Sequence, residues 1–267
     1  MVSTPLIIGH RGASAIAPEN TLAAFSRALK DGADGVEFDV RLSRDRVPVV
    51  IHDASLKRTG QIGRLVADLN AAELQQYDVC TWFGAAAHTQ RYVGTVPMLA
   101  QVFELFQQTS SLLYLEMKSD GADPRALVQA VIKEIHSARI ADRVVVSSFD
   151  LTAVALVKQI EPTISTAALF EPKLSRPLSA IRRLKMIDLA LEHNANEIAL
   201  HYSLVSKRVI QKATQLGLPV VVWTVDDPAW IRRAQLLDLK ALITNNPAAM
   251  IKRRQLETEN APTNSSR

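Results

Sequence analysis

Short runs of consecutive apolar residues, separated by longer helical patterns, constrain the fold of this chain more than any other feature. Leu6-Ile7-Ile8, Val144-Val145-Val146 and Val220-Val221-Val222 carry no polar residue on either face. Strands covered on both sides have this pattern, which is typical of parallel sheets connected by helices. The candidate strands are Leu6–Gly9, Gly35–Leu42, Val47–Ile51, Leu112–Met117, Val144–Ser147, Ile164–Leu169, Glu197–Leu200, Pro219–Val225 and Ala241–Thr244.

Helical patterns lie between these runs, and capping residues mark several of their starts. Asp123, Asp227 and Asn246 each precede a proline, which suits the first turn of a helix. The predicted helices are Thr21–Asp31, Leu99–Gln108, Pro124–Ala138, Leu151–Ile160, Pro177–His193, Ser206–Leu216, Pro228–Leu237 and Pro247–Leu256. About eight β-then-α units predict an α/β fold, the closed (β/α)8 TIM barrel. An open doubly wound sheet is the alternative, but it normally has fewer strands.

Residues 54–97 interrupt this alternation with a long stretch that contains no strong strand. We expect a small insertion after the second βα region, because so long an irregular stretch is uncommon in a compact domain. It directly follows His52, so it is predicted to lie over the active-site mouth. The length of 267 residues suits one barrel domain over residues 1–256. The polar residues 257–267 predict a disordered tail.

Composition excludes several classes of protein. The formal charge of +4 is mild, and no basic stripe with interleaved aromatics is present, which argues against a nucleic-acid partner. Cys80 is the single cysteine, so no intrachain disulfide can form. No run approaches the roughly 20 apolar residues of a membrane span, and no signal peptide precedes the first strand. We therefore expect a cytoplasmic protein without stable membrane association; its oligomeric state is not predictable.

Polar residues with chemical potential follow the ends of the predicted strands. In a barrel of this kind the active site lies at the carboxyl ends of the strands. The residues found there are His10, Arg11, Glu37, Asp39, His52, Glu116, Lys118, Ser147, Ser148, His201, Trp223 and Asn245. Such a set could hold a divalent cation and a phosphate together, with acid/base groups beside them. Phosphodiester hydrolysis is therefore the first hypothesis.

Three acids in apolar surroundings are the candidate metal ligands. Glu37 and Asp39 are two residues apart on one strand and share a face, and Glu116 lies in the next barrel strand. Carboxylates with few sulfur or imidazole partners suit a hard cation, Mg²⁺ or Ca²⁺. The alternative is that these acids form salt bridges with Arg11, Arg41 and Lys118.

His10 and His52 are candidates for proton transfer, since imidazole titrates near neutral pH. Asp53 could orient His52, or it could cap the following turn. The guanidinium of Arg11 suits bidentate contact with phosphate oxygens, and Lys118 suits a single charge contact.

Two further features are open to both a functional and a structural interpretation. Trp223 could form an apolar wall for the glycerol or alcohol moiety, although a tryptophan beside a core strand is packed in most proteins. Pro18-Glu19-Asn20-Thr21 is predicted to be a loop entering a helix, with Asn20 or Thr21 as the cap. A purely structural role for this loop is as acceptable as a catalytic one.

Together these residues resemble the glycerophosphodiester phosphodiesterase family, in its cytoplasmic bacterial form. The motifs occur in the family's order and cover nearly the whole chain, from residue 10 to about 247. The matching elements are His10-Arg11-Gly12, Pro18-Glu19-Asn20-Thr21, Glu37-Phe38-Asp39-Val40, His52-Asp53, Leu115-Glu116-Met117-Lys118, Ser147-Ser148-Phe149 and Trp223-Thr224-Val225.

The resemblance implies a metal-dependent TIM barrel that cleaves glycerophosphodiesters to sn-glycerol 3-phosphate and an alcohol. It implies His10 and His52 as the acid/base pair, with one divalent cation held by the three acids. Arg11 and Lys118 would hold the phosphate. The family often has an aspartate before the last proline, where Asn245 and Asn246 stand here. The contacts of that loop are therefore expected to differ.

Two other functions fit the same residues. One is a phosphodiesterase of the lysophospholipase D type, which an exposed apolar rim on residues 54–97 would support. The other is a non-catalytic phosphodiester-binding barrel. The presence of both histidines and all three acids argues against the second.

Overall fold

Nine strands occur in the computed structural model, which describes residues 4–84, 92–119, 123–172 and 180–259. They are β1 (Leu6–His10), β2 (Gly35–Leu42), β3 (Pro48–Val50), β4 (Leu112–Met117), β5 (Val144–Ser148), β6 (Ser165–Phe170), β7 (Glu197–His201), β8 (Val220–Trp223) and β9 (Ala241–Thr244). All except β3 pair in parallel, and β1 closes the ring by pairing with both β2 and β9. The predicted (β/α)8 barrel is confirmed, and an open doubly wound sheet is excluded.

Helices follow the barrel strands on the outside and lie close to the predicted bounds, except for the short helix Ala71–Leu74 in residues 54–97, which was not predicted. They are α1 (Leu22–Lys30), α2 (Ala71–Leu74), α3 (Leu99–Phe106), α4 (Arg125–Ala138), α5 (Leu151–Ile160), α6 (Ala180–Glu192), α7 (Lys207–Gln215), α8 (Trp230–Leu237) and α9 (Pro247–Glu259). The first residues of the predicted helix Pro177–His193 lie outside the described residues. The last helix continues to Glu259, and the rest of the predicted tail also lies outside them. None of the described helices is both long and apolar enough to cross a membrane.

Strand β3 corrects one expectation, because it is not a barrel strand. It pairs antiparallel with the end of β2, with Val50 opposite Val40 and Pro48 opposite Leu42. The connection between the two strands is short, and a parallel crossover would need a dozen or more residues. The chain therefore turns back on itself, and His52 follows a strand that lies beside the barrel wall.

The turn after β1 depends on a glycine. Gly12 has a φ of 86°, and a Cβ at this position would lie 2.6 Å from the backbone carbon of Ala24. Ala24 lies in the first turn of α1, where its amide donates to the Thr21 side chain that caps this helix. Gly12 thus allows β1 and α1 to approach closely. This close approach fixes the position of the residues that follow β1.

The described residues of the 54–97 segment pack around a small apolar cluster. The cluster contains Leu56, Val66, Leu69, Leu74, Val79 and Val96, together with Val49 and Ile51 at β3. An isolated antiparallel bridge pairs Asp78 with Thr95 within the segment. Cys80 is buried beside this bridge, and burial raises the pKa of its thiol to about 11. Through this cluster the segment packs against β3, directly after the residues that follow β3 in the chain.

Candidate active site

The parallel register of β1, β2 and β4 brings the predicted acids side by side. Glu37 lies opposite His10, and Asp39 lies opposite Glu116. Val36, Phe38 and Val40, which alternate with the two acids of β2, pack against the surrounding helices, so both acids face the inside of the barrel. The sequence prediction that these acids meet is confirmed.

The three carboxylates form one compact, buried group. One oxygen from each of Glu37, Asp39 and Glu116 lies within 4.8 Å of the others. Burial and the neighbouring negative charges raise the pKa of Glu37 well above its usual range, and that of Glu116 to about 7. Burial also acts to raise the pKa of Asp39, but the positive charges of Lys118 and Arg11 hold it well below its usual range.

This group fits a divalent cation. Its donors are all carboxylate oxygens, which suit a hard ion. Burial and then mutual repulsion raise the pKa of Glu37 and of Glu116, and a bound cation would offset both effects. Two of these acids, Asp39 and Glu116, also form ion pairs with Lys118 or Arg11, as the alternative interpretation expected for these partners. Lys118 Nζ lies 3.0 Å from Asp39 Oδ1 and 2.5 Å from Glu116 Oε1, and Arg11 Nε lies 3.2 Å from Asp39 Oδ2.

His10 is held by an amide from the far end of the chain. Its Nδ1 lies 2.7 Å from Oδ1 of Asn245, whose Nδ2 donates to Asp226 over 2.7 Å. The contact with Asp226 turns the amide oxygen toward the ring, so Nδ1 carries the proton. Burial and the charge of Arg11 lower the pKa of His10 to about 4. Its other nitrogen, Nε2, lies 3.8 Å from Glu37 Oε2 and is the atom left for proton transfer.

His52 is held by a carboxylate instead. Its Nδ1 lies 2.7 Å from Oδ1 of Asp53, which makes Asp53 an orienting group for the ring. The two residues lie in a bend beyond β3, so the alternation of a strand does not separate their side chains. Burial lowers the pKa of His52, while the charge of Asp39 acts in the opposite direction. Both histidines therefore keep Nε2 for chemistry.

Arg11 lies among three acids. Its backbone amide donates to Glu37 over 3.1 Å, its Nη1 donates to Glu19 over 2.8 Å, and its Nε pairs with Asp39. Its φ of 53° is in the left-handed region, which is uncommon for a residue other than glycine. Burial acts to lower the pKa of Arg11, but Asp39 and Glu19 raise it. Arg11, the predicted phosphate ligand, is therefore charged and is held in position by these acids.

The loop Pro18-Glu19-Asn20-Thr21 takes part in the site as well as in helix capping. Thr21 is the cap, because its hydroxyl accepts from the amide of Ala24. Asn20 is buried, and its side chain donates to Asp39 over 2.8 Å and accepts from the Asp39 amide. Glu19 pairs with Arg11 and with Arg58. Two of the four residues in this motif therefore hold groups of the candidate site.

A cavity of about 220 Å³ lies at this end of the barrel, and it joins the groups described above. Its charged and polar wall contains His10, Arg11, Glu37, His52, Glu116 and Lys118. Its apolar wall contains Phe149, Leu169, Ala199, Trp223 and Ile243. Trp223 packs edge-on against Phe149, with ring centres 5.5 Å apart. One cavity thus offers an acidic centre, two imidazoles, two cations and an apolar wall.

This arrangement has the parts needed to cleave a phosphate ester. The acids can hold a cation, the cations can bind phosphate oxygens, and the imidazoles can move protons. No role was predicted from the sequence for Asn245, Asp226 or Arg58. The position of Asn245 after the last barrel strand placed it among the candidate residues, whereas Arg58 lies in an irregular segment that gives no signal.

The sequence is similar to one family of known proteins over almost all of its length. It matches the Glycerophosphoryl diester phosphodiesterase family over residues 10–249. A glycerophosphodiester phosphodiesterase of Caldanaerobacter subterraneus subsp. tengcongensis is 31% identical over 246 residues, which are 92% of this chain and 96% of the relative.

Solved structures agree with this similarity. A phosphodiesterase of Oleispira antarctica, in complex with the product sn-glycerol-3-phosphate, has a TM-score of 0.82 at 26% identity and covers 94% of this chain and 97% of its own. A glycerophosphodiester phosphodiesterase of Agrobacterium tumefaciens has a TM-score of 0.76 at 26% identity, with 93% and 99% covered.

Proposed function

Because this chain belongs to the glycerophosphoryl diester phosphodiesterase family, we propose that it hydrolyses glycerophosphodiesters to sn-glycerol 3-phosphate and an alcohol by metal-dependent histidine acid/base catalysis. The observation that carries this proposal is the cavity that both histidines share with Glu37 and Glu116. The buried acids could hold a divalent cation, and their convergence supports the proposed metal dependence.

The three acids would hold Mg²⁺ or Ca²⁺, since all their donor atoms are oxygens. When bound, such an ion supplies Lewis acidity at a phosphoryl oxygen and lowers the pKa of a hydroxyl beside it. Arg11 and Lys118 line the cavity and would bind the remaining phosphate oxygens. The apolar wall at Trp223 would exclude water from one side of the glycerol or alcohol moiety.

The histidines would transfer the protons. One imidazole Nε2 would remove the proton of the attacking hydroxyl, and the other would protonate the leaving oxygen. The attacking group is either water or the glycerol hydroxyl of the substrate, which would first form a cyclic phosphate. Asn245 and Asp53 each hold Nδ1 of one ring, so both rings would present the same nitrogen to the substrate.

A substrate panel tests this proposal. Glycerophosphocholine, glycerophosphoethanolamine and glycerophosphoglycerol would be incubated with the protein and Mg²⁺ or Ca²⁺, with coupled detection of sn-glycerol 3-phosphate. We expect product from at least one of them, loss of activity with a chelator, and recovery on adding the metal. Full activity in excess chelator would contradict the metal requirement. Tight binding without turnover at saturating metal would favour the non-catalytic barrel.

Exposed apolar side chains favour a second candidate substrate class. In the 54–97 segment, Val93 is 89% exposed and Leu65 is 48% exposed. A lysophospholipid could place its acyl chain against exposed apolar side chains of this kind, and the enzyme would then act in the manner of a lysophospholipase D. Release of choline from lysophosphatidylcholine, compared with release from glycerophosphocholine, distinguishes the two classes. Cytoplasmic location, the lack of stable membrane association and the absence of a nucleic-acid partner stay predictions.

A further inference from the structure

Arg58 connects the 54–97 segment to the candidate active site. Its Nε donates to Oδ2 of Asp53 over 2.7 Å. Its Nη1 and Nη2 donate to the two oxygens of Glu19, over 2.8 Å each. The guanidinium carbon also lies 5.7 Å from the ring centre of Trp82, in the same segment. One side chain thus binds two carboxylates from different parts of the fold.

Each of these carboxylates also holds a residue of the site. The other oxygen of Asp53 is the partner of His52 Nδ1 at 2.7 Å, and Oε1 of Glu19 accepts from Arg11 Nη1 at 2.8 Å. We propose that Arg58 is a positioning residue that orients His52 through Asp53 and Arg11 through Glu19. This inference rests on the proposed function, because it takes His52 and Arg11 as the groups that transfer a proton and bind phosphate.

The guanidinium group is required for both contacts at once. Its planar fork presents donors along two edges, so Nη1 and Nη2 can match one carboxylate while Nε binds another. Lysine would offer a compact charge on a flexible stem and could hold only one of the two acids firmly. Arg58→Lys is therefore expected to be a partial replacement.

Loss of Arg58 should alter two kinetic constants for different reasons. Without it, Asp53 loses the donor that fixes its second oxygen, so the His52 ring is held less firmly and kcat falls. Glu19 would also lose two donors and draw more strongly on Arg11, which would compete with phosphate and raise KM. A general loss of stability would not produce separate effects on kcat and on KM.

Arg44 offers a matched control. It is 51% exposed, compared with 42% for Arg58, and it also makes three contacts, to Asn70, Asp68 and Glu73. These contacts tie the turn between β2 and β3 to the 54–97 segment, and none of the four residues lines the cavity. The pair of Arg44 is exposed and contributes little to stability. Without Arg58, the half-buried Glu19 keeps its pair with Arg11, so both arginine variants should remain folded.

The experiment compares Arg58→Met, Arg58→Lys and Arg44→Met with the wild-type enzyme, using glycerophosphocholine or the best substrate of the panel. We expect Arg58→Met to lower kcat about 10- to 100-fold, the usual effect of removing a partner that orients a functional group, and to raise KM several-fold. Arg58→Lys should lie between Arg58→Met and wild type. Arg44→Met should stay within about twofold of wild type on both constants.

A second set of variants separates positioning from a structural effect. If Arg58 acts on His52 through Asp53, the double variant Asp53→Asn/Arg58→Met should have about the same kcat as Asp53→Asn alone, because the pathway is already broken. Equal losses for Arg44→Met and Arg58→Met, or wild-type constants in both Arg58 variants, would overturn the inference. Additive losses in the double variant would overturn the route through Asp53. Failure of the wild-type enzyme on every substrate would instead reject the proposed function.

Discussion

Oδ1 of Asn245 lies 2.7 Å from Nδ1 of His10, and this contact decides which nitrogen of the ring carries the proton. Ser14 also donates to the same oxygen, and Asp226 accepts a hydrogen bond from the amide nitrogen. The orientation of the amide is therefore determined on both sides. The two residues are 235 positions apart and meet because β9 closes the barrel against β1.

Replacement of Asn245 by alanine should therefore reduce turnover. The His10 Nδ1–H would lose its acceptor and the ring would rotate more freely, so we expect kcat to fall about 10- to 100-fold. Steady-state kinetics would measure this, with thermal unfolding to show that the fold is kept. Asn246→Ala is the control, since its side chain caps α9 through Ala249. It should cost about 1 kcal/mol of stability and leave kcat unchanged.

Removal of either imidazole should abolish most activity. His10→Ala and His52→Ala are each expected to lower kcat by at least about 10²-fold, the usual contribution of a proton transfer. His136 is the control, because it lies on the surface and pairs with Glu161 at 3.0 Å. His136→Ala should behave as the wild type. Near-normal turnover in either of the first two variants would show that the acid/base roles are wrongly assigned.

Affinity for the divalent cation should rise as the pH increases through about 7. Burial and the charge of Asp39 raise the pKa of Glu116 to about 7, so below that pH its carboxyl holds a proton that competes with the metal. Glu37, whose pKa is also raised by burial and by the charge of Asp39, adds to this competition. Calorimetric titration with Mg²⁺ or Ca²⁺ at about pH 6 and about pH 8 measures both affinity and proton release.

The matched variant for this prediction is Glu116→Gln. It removes the competing proton together with one ligand, so binding should weaken at both pH values and its dependence on pH should become smaller. Equal affinities of the wild-type protein at the two pH values would contradict the prediction.

Glu19 should stabilise the fold at neutral pH and lose this effect in acid. Burial acts to raise the pKa of Glu19, but the hydrogen bond from Arg58 and the charge of Arg11 lower it below its usual 4.5. A carboxyl with a lowered pKa stabilises the folded state above its unfolded pKa, and the contribution disappears as pH falls through the folded value.

Glu19→Gln should therefore lower the free energy of unfolding by about 1.5–3 kcal/mol at neutral pH, as for a hydrogen bond to a charged group. Its stability should then fall less steeply below pH 4.5 than that of the wild type. Urea unfolding at several pH values measures this. Glu73→Gln, which breaks the exposed pair with Arg44, is the control and should cost at most about 1 kcal/mol. Parallel stability curves for Glu19→Gln and the wild type would contradict the prediction.

The sequence by itself determined the barrel and the meeting of its three acids. Runs such as Val144-Val145-Val146 report burial on both faces, and that local pattern is enough to predict parallel strands. Carboxyl ends of parallel strands meet at one edge, so Glu37, Asp39 and Glu116 could be placed together without knowledge of the register.

Only the tertiary structure decided which side chains hold the functional groups. Asn245 reaches His10, and Arg58 reaches Glu19 across 39 positions, through contacts that no local periodicity encodes. The apolar pattern also does not predict the direction of β3, because such a run occurs equally in parallel and antiparallel strand pairs. A hydrogen bond forms only where donor and acceptor atoms are positioned to within about an ångström. These positions are set when barrel closure brings distant segments together.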